Sequence, residues 1–371
     1  MSNTVFDTDA HVEESEETFA ALQDRPEFAG AAPRVIQGER RAYWLIEGRT
    51  FPRLSGKGVH TFGSPHARSA AGQVDPERRA RVESQELRDP AARLQDMDAE
   101  GIDVSVLFPT MFLVWPLADS PALARALCRS YNDWIAAKCA RSGGRLRWVA
   151  TVPLPDVEGS VEEIRRIEKL GASGVMTLGT AGPMTLSDRH LDPFYRTLEE
   201  RSLPLCVHVG WSFPPVNELY DNVYETMITP FALPIFMGFS SLLIGGVLER
   251  FPRLKAGFFE AGVEWVPYWL DRMERFYRQP PGGSRKSDLP ARNPREYIEA
   301  GRVFCSCELD EARIGPVAQV IGDDCILYSS DLPHAHRVFD AIRLFRDRND
   351  VAEPVKAKIL GNGARFFPFQ G

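Results

Sequence analysis

Four stretches of this chain set ionisable side chains among strongly apolar neighbours, a placement that solubility does not explain. Asp9-Ala10-His11 puts a carboxylate and an imidazole two residues apart, and extended backbone turns both to the same side. His208 stands within Leu205-Cys206-Val207-His208-Val209, Glu260 follows Phe258-Phe259, and Asp331 begins Asp331-Leu332-Pro333-His334. Buried charges left unpaired are costly, and a divalent cation is the simplest way to compensate several at once. Asp9, His11, His208 and Asp331 would offer it two nitrogens and two carboxylates, a set suited to Zn2+ and acceptable to Mn2+ or Fe2+. Such a cation lowers the pKa of a coordinated water or polarises a substrate oxygen. Taken singly, each motif has a simpler reading. An Asp-x-His pair often caps a turn, a core histidine can be hydrogen-bonded in place, and Asp331 before Leu332-Pro333 can form a turn.

The elements that must position these residues alternate along the chain. Strand patterns are predicted at 4–9, 103–108, 146–152, 174–178, 205–209, 254–260, 302–306 and 326–329. Helical patterns fall between them at 90–100, 121–140, 161–170, 193–200, 231–250, 263–277, 314–321 and 339–348. This alternation predicts an α/β chain, and eight strand–helix units predict a closed (β/α)8 TIM barrel ahead of a doubly wound sheet. In a barrel of this kind the C-terminal strand ends face the substrate. The singled-out motifs fall at the ends of strands one, five, six and eight, and those of strands one, five and eight together read as a metal site.

Roughly eighty residues separate the first strand from the second, so 12–89 is expected to be an insertion within one domain spanning 1–371. Arg41–Ile46 and Arg49–Pro52 flank Glu47-Gly48, which predicts a β-hairpin, while 56–75 is rich in Gly, Ser, Ala and His and reads as a loop. Emerging after a barrel strand, the insertion is placed to cover the mouth. His60, His66 and Arg68 within it are candidates to read a substrate carboxylate.

Composition narrows the classes further. The 371 residues carry 44 Lys+Arg against 51 Asp+Glu, a formal charge of −7, without a basic stretch suited to nucleic acid. The N-terminus lacks the basic and apolar segments of a signal peptide, and no run of about 18 apolar residues occurs, so a cytoplasmic protein without a membrane segment is expected. The six cysteines show no framework spacing and are expected to be reduced. A thiolate metal site at Cys305 and Cys307 is not expected.

With these motifs in place, the chain resembles the ACMSD-related branch of the amidohydrolase superfamily. The resemblance runs through Asp7-Thr8-Asp9-Ala10-His11, Asp98-Ala99-Glu100-Gly101-Ile102-Asp103 and Val207-His208-Val209-Gly210. It continues through Phe251-Pro252-Arg253-Leu254-Lys255 into Glu260-Ala261-Gly262, then Ser330-Asp331-Leu332-Pro333-His334 and Ile359-Leu360-Gly361-Asn362-Gly363-Ala364-Arg365-Phe366-Phe367. It implies a metal-dependent barrel enzyme, usually a non-oxidative decarboxylase of an aromatic or enol-type carboxylic acid and sometimes a hydrolase, and a dimer or higher oligomer. The family's ligands map onto Asp9, His11, His208 and Asp331. Two departures stand out: an acid replaces the first histidine of a His-x-His pair, and Glu260 occupies the place of a catalytic histidine.

Decarboxylation would need a carboxyl group to protonate carbon, and Asp331 or Glu260 could supply it. Hydrolysis of an amide, ester or C–C bond would instead need one of them to deprotonate water. A non-catalytic ligand-binding barrel is the third expectation. His334, three residues beyond Asp331, is expected to orient it or touch substrate. Trp211, Phe213 and Tyr224 could stack on a flat carboxylic acid, whereas His190 and His336 read as surface or packing residues. Apolar and aromatic residues across 263–277 could form a homodimer interface.

Overall fold

The computed structural model describes residues 4–39, 41–54, 57–58, 65–66, 73–285 and 288–367. Eight parallel strands close into a barrel: β1 (Phe6–Val12), β2 (Val104–Pro109), β3 (Leu146–Thr151), β4 (Gly174–Leu178), β5 (Leu205–His208), β6 (Ala256–Phe259), β7 (Val303–Glu308) and β8 (Ile326–Ser329). Each pairs with its sequence neighbours, and β8 returns to β1 through Tyr328 opposite Asp7. Their near-continuous apolar runs are what a sheet covered on both sides requires, and β6 is buried along its whole length. Phe366 and Phe367 pack against Phe259, and Phe367 also meets Phe6.

β1 extends three residues beyond the predicted 4–9, so Asp9 and His11 lie inside the strand. The register shifts between Asp7 and Ala10, an irregularity typical of strands that must re-aim side chains. Helices between the strands include α1 (Pro90–Glu100), α2 (Pro121–Cys139), α3 (Val157–Glu168), α4 (Asp192–Glu200), α5 (Val223–Leu243) and α6 (Val266–Arg278). By length and composition the helical stretch Val223–Arg250 is apolar enough to cross a membrane, which the expectation of no such segment did not foresee. Half of its most apolar window is buried in the protein, where Phe239 packs on Phe258 and Phe236 on Trp265.

Between β1 and α1, the hairpin forms as predicted. Ala42–Ile46 pairs antiparallel with Arg49–Phe51 around Glu47 and Gly48, whose φ values of 49° and 76° define a turn matched to strand twist. A third strand, Arg34–Gln37, pairs along the other edge of Ala42–Ile46. Arg93 of α1 is fully buried and fastens this region to the barrel. Its guanidinium donates to the His11 carbonyl at 2.9 Å and to the Ser84 carbonyl at 2.8 Å, while burial pushes its pKa down to about 10.

Candidate metal centre

Asp7 lies beneath the centre and ties three strands together. It is fully buried, accepting from Ser105 Oγ of β2 at 2.6 Å and from Ser330 Oγ just past β8 at 2.8 Å. Burial raises its pKa to about 6 despite these hydrogen bonds. Next along β1, the Asp9 carbonyl accepts from the Asp331 N–H at 3.0 Å, and the His11 N–H donates to the Leu332 carbonyl at 2.7 Å. The loop after β8 is thereby pinned against the strand that carries the Asp-x-His pair.

The side chains converge above this frame. His208 Nε2 lies 3.3 Å from Asp9 Oδ1 and 3.4 Å from Glu260 Oε2. His11 Nε2 lies 3.5 Å from Asp9 Oδ1, 3.4 Å from Glu260 Oε2 and 3.9 Å from Asp331 Oδ1. The far nitrogen of His208 is held by the Val209 carbonyl at 3.0 Å, which turns Nε2 inward. Asp9 Oδ2 accepts from Ser329 Oγ at 3.2 Å, leaving Oδ1 to face the imidazoles.

The structure thus brings Asp9, His11, His208 and Asp331 together, and it sets Glu260 nearer to the two imidazoles than Asp331 is. Potential ligand atoms of Asp9, His11 and His208 form one compact group, and those of His11, Glu260, Asp331 and His334 form another sharing His11. His11 Nε2 and Glu260 Oε2 are buried without a hydrogen-bond partner. Buried polar atoms are rarely left so, and two nitrogens with several carboxylate oxygens at this spacing fit a divalent cation. Burial opposes charge at Asp9, but His208 and His11 outweigh it and hold the carboxyl below its usual range. Burial likewise opposes charge on His11, yet Asp9 and Glu260 raise its pKa well above the ordinary value. Geometry that favours a proton on Nε2 favours a cation for the same reason.

His334 reaches Asp331 directly, with Nδ1 2.6 Å from Oδ1, while its Nε2 meets Thr110 Oγ1 at 3.0 Å. Glu13, two residues beyond His11, lies 3.8 Å from His334 Nε2 and accepts from Arg78 at 2.6 Å. Glu308 ends β7 beside this group, and burial together with Asp331 and Glu260 raises its pKa to about 8. Thr110, Glu13, Arg78 and Glu308 were not singled out in the sequence. The i, i+2, i+4 spacing of Asp9, His11 and Glu13 was the one available signal.

Other candidates lie further out. His66 bonds to Gln85 at 3.0 Å, and Gln85 in turn accepts from Arg78, so His66 joins the network four contacts from His334, through Gln85, Arg78 and Glu13. Arg68 and His60 lie outside the described residues. Trp211 is buried, donating its indole N–H to the Thr226 carbonyl at 3.0 Å and packing on Phe231. Phe213 is half-buried at the start of a short helix, and Tyr224 is 79% exposed on α5. His190 and His336 are exposed. All six cysteines are buried and unbridged, and Cys305 and Cys307 share no metal-ligand group among the described residues.

Comparison with known proteins places this geometry in a family. The family model described as Amidohydrolase matches residues 7–369. The chain is 26% identical to a 2-amino-3-carboxymuconate-6-semialdehyde decarboxylase of Dictyostelium discoideum, over 75% of this chain and 76% of that protein. It is 24% identical to a gamma-resorcylate decarboxylase of a Polaromonas species, over 79% and 90% of the two chains. Among solved structures, 5-carboxyvanillate decarboxylase of Novosphingobium aromaticivorans, complexed with manganese and 4-hydroxy-3-methoxy-5-nitrobenzoic acid, superposes with a TM-score of 0.72. That match covers 100% of each chain at 23% identity.

Proposed function

We propose that this chain, which belongs to the amidohydrolase family, is a metal-dependent non-oxidative decarboxylase of an aromatic or enol-type carboxylic acid. The observation that carries the reading is the convergence of His11 Nε2 and His208 Nε2 on the Asp9 and Glu260 carboxylates, with His11 Nε2 and Glu260 Oε2 buried and unpartnered. Relatives that act as decarboxylases of such acids support it.

Asp9, His11, His208 and Asp331 would hold the cation, with Glu260 closing the set. When bound, it would stabilise negative charge developing on substrate oxygens as the C–C bond to the departing carboxylate breaks. The remaining step is delivery of a proton to the carbon that has lost CO2. Asp331, in contact with His334 at 2.6 Å, is the acid placed for it, and His334, touching Thr110, is the residue placed to reload it. Glu308, whose carboxyl pKa burial pushes up to about 8, is a further candidate donor beside Asp331. Zinc is the assigned ion on donor chemistry, with manganese and iron(II) fitting the same oxygen and nitrogen atoms.

The test is incubation with hydroxybenzoic and aminomuconic-type acids after loading with Zn2+ or Mn2+, reading CO2 release and incorporation of oxygen from H2(18)O. Release of CO2 without labelled product supports decarboxylation. Labelled product without CO2 transfers the site to hydrolysis, and neither product with any acid returns it to binding alone.

The same reading includes a cytoplasmic homodimer. Tyr224 and Ile228 on α5 and Tyr268 on α6 stand 79%, 71% and 64% exposed, apolar surface that a second copy could cover. Light scattering of the purified chain and of Ile228→Glu decides the oligomeric state.

A further inference from the structure

A second cavity of about 400 Å3 lies over the ends of β3 and β4, and none of the clustered carboxylates and imidazoles lines it. One wall is a strip of backbone crossing the barrel mouth. There the Trp211 N–H donates to the Leu113 carbonyl at 2.8 Å, and the Trp115 N–H donates to the Trp211 carbonyl at 3.0 Å. Trp115 packs so closely on Gly182 that any Cβ there would meet the indole at 2.2 Å. Phe112, Leu127 and Leu178 add apolar surface, and Phe112 and Trp115 present rings against which another ring can stack.

Two features specify the polarity of an occupant. Thr177 and Thr151 line the cavity at 6% and 3% exposure, and neither Oγ1 has a hydrogen-bond partner. A buried hydroxyl left unpaired is costly, so an occupant carrying one donor–acceptor group would remove that cost. The charged side chains on the lining, Asp119 and Asp156, are both acids.

α2 and α3 begin at this cavity, and helix N-termini ordinarily attract anions. Here those positive ends are already satisfied. Ser120 Oγ accepts from Leu123 N–H at 3.4 Å and Asp156 Oδ1 from Gly159 N–H at 3.1 Å. The Glu47 carboxylate takes the Asp119 and Ser120 N–H groups at 2.6 and 3.1 Å. An anion would enter to find two carboxylates and no cationic side chain on the lining.

We propose that this cavity is a second ligand site for a neutral aromatic molecule bearing one hydroxyl. The site is separate from the metal centre, and its occupancy does not depend on the chemistry assigned there.

Calorimetric titration of 2-naphthol and 2-naphthoate into the full chain in EDTA tests it. One 2-naphthol binds per chain, at least about tenfold more tightly than 2-naphthoate, because a desolvated carboxylate meets two acids and no cation on the lining. Ala124→Phe, which fills the cavity from α2, weakens 2-naphthol by at least about tenfold. Thr177→Val keeps the shape and removes the hydroxyl, weakening it roughly threefold to tenfold. Should Ala124→Phe melt below the wild type, Thr177→Val alone carries the test. Absence of 2-naphthol binding overturns the proposal, as does equal binding of 2-naphthoate. So does binding untouched by either variant but lost in His208→Ala, which would put the probe in the metal centre.

Discussion

Glu260 and Asp331 end two strands that are not neighbours, β6 and β8, and both turn through left-handed backbone, with φ of 61° and 52°. For residues with a Cβ this conformation costs roughly 1–2 kcal/mol. Strain of this kind persists where surrounding structure fixes it, and it gathers at functional sites. Here the Glu260 N–H is held by Ser306 Oγ at 3.0 Å and the Asp331 N–H by the Asp9 carbonyl at 3.0 Å. Each turn brings its carboxylate to within 3.4 Å and 3.9 Å of the same imidazole nitrogen of His11.

Replacement of Glu260 by glycine therefore separates stability from function. Glycine relieves the left-handed strain and removes a buried oxygen without a partner, so the metal-free protein gains about 1 kcal/mol. Turnover and tight cation binding are lost in the same variant. Chemical denaturation in EDTA, set beside metal titration, checks both; a glycine variant no more stable than wild type would show that the turn is unstrained.

The His334–Asp331 contact makes His334 a positioning and reloading residue. His334→Ala lowers kcat by on the order of 10²-fold while KM and the amount of cation bound at saturation hold. A His334→Asn variant, whose amide can still reach Asp331, recovers part of the loss. Equal losses in kcat and in bound cation would instead make His334 a ligand.

Much of this arrangement was legible in the residues. The strands of a covered barrel announce themselves as apolar runs, so 174–178 and 326–329 are predicted to the residue. Asp9, His11, His208, Glu260 and Asp331 stood out because each interrupts or follows such a run. Arg78 and Thr110 gave no such signal, since loop geometry alone carries them to Glu13 and His334. Glu308 was hidden at the end of a strand whose C-terminal end, predicted at 306, lies two residues further on. The helix Glu353–Gly361 escaped notice because its burial includes Lys356, whose amine bonds the Arg346 carbonyl, so no clean apolar stripe marks it.

Glu14, three residues past His11, gives the protein a pH-dependent weakness. It is buried, with Oε2 accepting from the Met111 N–H at 2.9 Å and Oε1 unpartnered, and burial pushes its pKa up to about 8. A carboxyl with a raised folded pKa holds its proton in the native state when the unfolded chain has released it. Its contribution is present below the ordinary value near 4.5 and is lost as pH rises toward 8. Glu14→Gln mimics the protonated form. It should match wild type at pH 4.5 and exceed it by about 2 kcal/mol at pH 8, a fraction of the full linkage of about 1.4 kcal/mol per pKa unit. Parallel melting curves across that range would remove Glu14 from the account.

Cation binding should report the state of His11 directly. Asp9 and Glu260 raise its pKa well above the ordinary range, so a proton and a cation compete for Nε2. Loading the EDTA-treated protein with Zn2+ or Mn2+ must release about one proton below that pKa, and affinity must rise about tenfold per pH unit there. Calorimetry in buffers of different ionisation enthalpy counts the proton. Excess cation at about 100 times its Kd should also stabilise the fold by about 2.7 kcal/mol. His11→Ala removes the competing atom, so the proton release disappears along with most of the affinity. Proton release that survives this substitution would place the competition at a different residue and remove His11 from the ligand set.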